Sequence, residues 1–124
     1  MCGRYYVDDE TAREIEKLVR DLDRRLKMER TGDVFPSQSA TVIAEKARHL
    51  TAEQMRWGSP GFEKGKLLIN AKAETALERP TFRESVRHRR CVIPARGFYE
   101  WNKSKEKYTF ERKETPVLFK AGCY

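Results

Sequence analysis

The stretch Cys91-Val92-Ile93-Pro94-Ala95-Arg96-Gly97-Phe98-Tyr99-Glu100-Trp101, followed after a short polar turn by Lys107-Tyr108-Thr109-Phe110-Glu111-Arg112, decides the fold. Residues 91–93 read as a strand, and Pro94, which has no backbone N–H, is expected to break it. Residues 97–101 then pair with 107–112 as a hairpin through the turn at 103–106. Alternate residues of a strand share a face, so Phe98 and Glu100 point one way while Tyr99 and Trp101 point the other.

Working outward, further strands are predicted over 41–44, over 54–57 up to the Gly58-Ser59-Pro60 stop, over 67–71 and over the apolar run 117–124, with a short apolar opening at 5–7. The segment 31–39, punctuated by Gly32 and Pro36, reads as a loop. An amphipathic helix is predicted over 9–27, with Ala12, Ile15, Leu18, Val19, Leu22 and Leu26 on one face, acids at its start and Arg24, Arg25 and Lys27 near its end. Thr81-Phe82-Arg83-Glu84 has the form of a capping box opening a short basic helix to about His88. The expectation is one α+β, β-rich domain over 1–124, with a mixed or antiparallel sheet covered by the N-terminal helix. The last strand runs to Tyr124 with no polar tail, so the chain reads as cut inside a sheet, with an unpaired edge that invites self-association.

Composition narrows the function. With 124 residues there is room for one hydrophobic core, and 36% charged residues with no long apolar run or secretory signal place the chain in the cytosol rather than in a membrane. Cys2, Cys91 and Cys123 are too few and too widely spaced for a disulfide framework, and His49 and His88 lie in no metal-ligand spacing, so neither a metal nor a cofactor is expected. The net charge of +7 favours a polyanionic partner. Between Arg83 and Lys113 there are ten Lys or Arg against four acids, interleaved with Phe98, Tyr99, Trp101, Tyr108 and Phe110. Cations beside stacking rings suit single-stranded nucleic acid, although a solvated basic face over an ordinary aromatic core has the same composition.

Several residues carry chemistry. If Met1 is removed, Cys2 presents an α-amine and a thiol two carbons apart, a 1,2-aminothiol that condenses with an aldehyde to an imine and closes to a thiazolidine. Gly3 leaves room for a substrate and Arg4 can hold an anion, while the plain alternative is an incidental Cys at a frayed end. Glu100, flanked by aromatics, reads either as a general acid or base or as a solvated edge carboxylate. Asn70, on the predicted strand between Ile69 and Ala71, is either a satisfied core amide or one offered to a ligand, and Lys72 would share its face and can bind phosphate. Trp57 is a core plug or a stacking platform.

Met1-Cys2-Gly3-Arg4, Arg56-Trp57-Gly58, the run 69–75, the run 79–83 and the run 89–101 follow one another in an order that resembles the SRAP family, the SOS-response-associated peptidase fold, along the whole chain. The resemblance implies an abasic-site processing protein that binds single-stranded DNA and joins Cys2 to the ring-opened aldehyde of an abasic sugar as a thiazolidine. It also implies autoproteolytic exposure of Cys2 and lyase-type chemistry through the imine. Carried over by position, Asn70 orients the reacting terminus or sugar and Glu100 handles protons. Arg4, Lys72 and Arg83 fall near the DNA backbone, and Pro36, Trp57 and Gly58 fall where the strand bends at the lesion. The sequence departs from the family pattern at Lys72, usually Arg, and at Arg96, more often acidic or amide. The family's His-x-Arg-Met-Pro segment has no counterpart before Tyr124. The competing reading is a non-catalytic single-strand-binding module, which would not need Cys2.

Overall fold

The computed structural model describes residues 2–22 and 31–124. In chain order these form β1 (Arg4–Val7), α1 (Asp9–Leu22), β2 (Gly32–Val34), β3 (Ser39–Lys46), β4 (His49–Arg56), β5 (Ser59–Pro60) and β6 (Leu67–Leu68). They continue with α2 (Pro80–His88), β7 (Arg90–Ala95), β8 (Gly97–Trp101), β9 (Lys107–Glu111) and β10 (Leu118–Cys123). Two four-stranded sheets result, ordered β2-β1-β8-β9 and β10-β7-β3-β4, with β5 and β6 as a separate short ladder. Every ladder is antiparallel, so the architecture is α+β and β-rich, as the sequence implied.

The predicted hairpin forms β8 and β9, in register from Gly97 opposite Glu111 to Trp101 opposite Lys107. Gly97 permits it: a Cβ there would sit 2.5 Å from the Phe110 carbonyl oxygen and 3.0 Å from the Tyr6 ring. β1 pairs with β8 on its other edge, Tyr5 opposite Phe98, so Tyr5, Phe98 and Glu100 share the inner face while Arg4, Tyr6, Tyr99 and Trp101 share the outer one. Tyr5, Val7, Ile15, Ala52 and Ala95 form the main core. Asp8 caps α1, its carboxylate accepting the Thr11 N–H at 2.8 Å, and the buried Thr11 hydroxyl donates to the Pro116 carbonyl at 2.6 Å. The predicted continuation of this helix over 23–27 lies outside the described residues.

Four expectations are corrected. The loop 31–39 contains β2, a strand too short to show alternation, which pairs Val34 with Tyr5. β7 runs through Pro94 instead of stopping there: Pro94 is paired with Phe119 of β10, and it lies beyond the ladder with β3, which is confined to Val92 and Cys91. Thr81 caps nothing, because α2 starts at Pro80 behind Arg79, which makes no side-chain cap bond, and a proline in the first turn does not need the absent donor. The strand over 67–71 shrinks to Leu67–Leu68, since beyond it the Ile69 carbonyl and the Asn70 amide bond to groups outside any ladder. Asn70 and Lys72 therefore do not share a strand face.

Candidate active site and nucleic-acid interface

The inner end of β1 gathers the first cluster. The half-buried Cys2 packs against the main core, and its thiol donates to the Arg4 carbonyl at 3.3 Å. The Asn70 side-chain N–H donates to the Cys2 carbonyl at 3.0 Å, so a residue 68 positions along the chain fixes the segment that leads into β1. Asn70 is positioned in turn by Trp57, whose indole N–H donates to the adjoining Ile69 carbonyl at 3.0 Å. The Trp57 ring lies 5.5 Å from that of Tyr5, tilted by 50°. Its backbone is held at both sides, the Ser37 N–H donating to the Trp57 carbonyl at 2.8 Å and the Trp57 N–H to the Gln38 carbonyl at 2.9 Å. That pairing brings Pro36 beside Trp57. Gly58 follows at φ +104, a left-handed conformation that favours glycine, and a Cβ there would press on Leu67 at 3.3 Å. Glu100 is half-buried on the inner face that also carries Tyr5.

Sequence reasoning missed one member of this cluster. Lys120, from β10, places its ammonium 3.3 Å from the centroid of the Tyr5 ring and 5.9 Å from that of Trp57. Burial pulls its pKa down to about 8, against the opposing pull of the Cys2 thiolate. Burial and the same thiolate push the Tyr5 phenol upward. The available signal was one cation inside the apolar run Leu118-Phe119-Lys120-Ala121-Gly122, paired with Ile93 across the ladder.

The outer face of the same sheet builds a second, different surface. The Arg4 guanidinium lies 4.5 Å from the Phe35 ring centroid, 5.3 Å from Trp101 and 5.9 Å from Tyr99, and it contacts Asp33 at 3.6 Å. Its Nε is buried without a hydrogen-bond partner. The Tyr99 hydroxyl donates to Asp33 at 3.2 Å, Lys107 sits 3.9 Å over the Tyr99 ring, and Tyr6 stacks on Tyr99 at 5.2 Å. Burial and the Asp33 carboxylate raise the Tyr99 pKa while Arg4 opposes them. Phe35 and Trp101 are exposed, so flat apolar faces and two cations are presented together to solvent.

Of the predicted site residues, Cys2, Asn70 and Trp57 are joined directly by bonds or a single intervening residue, with Pro36 and Gly58 flanking Trp57. Arg4 belongs to the outer platform. Lys72 is exposed, its carbonyl accepting the Thr75 N–H at 3.1 Å in the turn before α2, and the exposed Arg83 stands apart on α2 beside Glu84 at 3.9 Å. Among the described residues no three His, Cys, Asp or Glu side chains converge as a metal site would require.

The family model for SOS response associated peptidase (SRAP) matches residues 1–124. The chain belongs to the SRAP family. This SRAP chain is 33% identical over 136 residues to abasic site processing protein YoqW of Bacillus subtilis (strain 168), a match covering 100% of the chain and 60% of that relative. It is 30% identical over 112 residues to abasic site processing protein YedK of Escherichia coli (strain K12), covering 86% of the chain and 50% of YedK. The SRAP chain thus spans at most about 60% of the length of these relatives. Among solved structures, the crystal structure of a phage-related protein from Bordetella bronchiseptica superposes with a TM-score of 0.70 at 19% identity, covering 98% of this chain and 60% of that one, a likeness of fold alone.

Proposed function

We propose that this protein processes abasic sites in single-stranded DNA by forming a covalent thiazolidine cross-link through Cys2 once Met1 has been removed. The observation that carries the proposal is the hydrogen bond from Asn70 to the Cys2 carbonyl, which anchors a terminal residue that would otherwise fray. An anchored 1,2-aminothiol reacts with an entropic advantage over a free one. The α-amine adds to the sugar aldehyde carbon and the carbonyl oxygen leaves as water, giving an imine. The Cys2 sulfur then bonds to that carbon, the thiol gives up its proton, and the imine nitrogen takes one. Glu100 serves as the carrier of these protons.

Single-stranded DNA is the partner, with unstacked bases laid on the exposed rings of Phe35 and Trp101 and phosphates met by Arg4, Lys72 and Arg83. Pro36, Trp57 and Gly58 form the bend beside Cys2. Removal of Met1 by the chain itself and strand scission through the imine are the peptidase and lyase activities that belong to this reading. The outer platform favours a second reading, a non-catalytic single-strand-binding module, because nothing in it requires Cys2.

Intact-mass spectrometry after incubation with an oligonucleotide carrying one abasic site separates the two. The expected species lacks Met1 and has gained the oligonucleotide less one water, and Cys2→Ala abolishes the heat-stable product. Retention of Met1, or binding without any covalent species, leaves only the binding module.

A further inference from the structure

Lys120 is a primary amine in the Cys2 cluster that the thiazolidine chemistry does not use. It extends from β10 on the face it shares with Ile93, and its ammonium rests on the buried Tyr5 ring at 3.3 Å with Trp57 at 5.9 Å. Trp57 holds the segment carrying Asn70, and Asn70 holds Cys2, so the amine and the aminothiol share one cluster of directly bonded or stacked residues. An ammonium on an aromatic surface, among apolar neighbours, has lost most of the water that favours its charge. Lysines that act as nucleophiles towards carbonyls are made reactive by such desolvation.

We infer that Lys120 is a second nucleophilic amine of this site, forming a reversible imine with the same sugar aldehyde independently of Cys2. The inference rests on the abasic-aldehyde reading above. The neutral Nζ adds its lone pair to the aldehyde carbon, the carbonyl oxygen departs as water with the two hydrogens of the nitrogen, and a C=N bond remains. Lys120 carries no thiol on an adjacent carbon, so no ring closes and water reverses the reaction. At neutral pH about a tenth of Lys120 is free amine, against roughly one part in three thousand for an ordinary lysine. The groups facing it are the Tyr5 phenol and the Cys2 thiol, whose ionised forms would both hold its proton on.

The test incubates Cys2→Ala protein with an abasic single-stranded oligonucleotide and cyanoborohydride, which reduces C=N to a stable secondary amine, and locates the adduct by proteolysis and mass spectrometry. Near neutral pH the Lys120 peptide is expected to carry at least about tenfold more label than the mean of the other lysine peptides, a preference that urea removes. Its labelling should rise with a midpoint near pH 8. Lys120→Arg in the same background should abolish the label, and if that variant fails to fold, the pH series decides. Label spread evenly over lysines, or confined to the amine of residue 2, overturns the inference. The unsubstituted protein without hydride reports the Cys2 adduct separately: a stable product there without Lys120 labelling refutes this inference alone. Lys120 labelling without that product refutes the thiazolidine reading alone.

Discussion

Asn70 and Lys120 approach Cys2 for opposite physical reasons. Asn70 satisfies a backbone acceptor, a low-energy arrangement that also fixes geometry, whereas Lys120 is held in a place that disfavours its own charge. The sequence made Asn70 visible, as an amide between apolar neighbours that must find partners. It hid Lys120, since one cation on a terminal strand reads as an edge residue until the strand is seen to lie over Tyr5. The buried cation has a consequence for stability. Its folded pKa of about 8 lies below the ordinary 10.5, so below pH 8 both states are protonated and the burial penalty is fully present. Between the two values the unfolded chain holds more protons, and stability rises with pH. Lys120→Met should therefore stabilise the protein at neutral pH by on the order of 2 kcal/mol, a gain shrinking as pH rises through that window, measured by denaturant titration across a pH series. A constant gain, or a loss at neutral pH, would show that the amine is not held under strain.

At the scale of elements, local chemistry told most where it was strong. The hairpin of β8 and β9 and the start of α1 follow from alternation and from a carboxylate ahead of an amphipathic run. β2 and the passage of β7 through Pro94 were not legible, because both depend on which neighbouring strand is present and where its ladder ends. The capping-box pattern at Thr81 lost to the proline before it, whose fixed φ suits the first turn. Asp8 offers a direct check. Burial raises its pKa, but the Thr11 hydrogen bonds and the Arg96 charge outweigh that and leave it lowered. Asp8→Ala is expected to cost about 1 kcal/mol above pH 5, a cost that disappears as acid protonates the wild-type carboxylate, read from thermal melts at several pH values. An equal cost at low pH would assign the effect to packing.

Over the whole molecule, one sheet separates two surfaces of different character: a cluster around Cys2 on its inner side and a cation-bearing aromatic platform on its outer side. The sequence offered both, through Cys2 and through the basic, aromatic second half, each beside a plainer reading. It did not show that they lie on opposite faces, because that depends on the registry of β1 with β8. With a net charge of +7, binding to a nucleic acid strand should weaken with salt. Each phosphate contact contributes a slope of about 0.7 on a log–log plot for single strands, so Lys72→Ala and Arg83→Ala should each flatten the plot by about that amount. Fluorescence anisotropy of a labelled oligonucleotide over a salt series measures it, and an unchanged slope removes that residue from the interface.

The chain's two tryptophans fall on either side of this division. Trp57 lies beside the contact between the Tyr5 ring and the Lys120 amine, while Trp101 stands 41% exposed beside a guanidinium. The molecule thus contains a matched pair of natural fluorophores, one sensing the interior cluster and the other the open platform. Occupancy of either side should alter the emission of the tryptophan beside it, without any dye being attached.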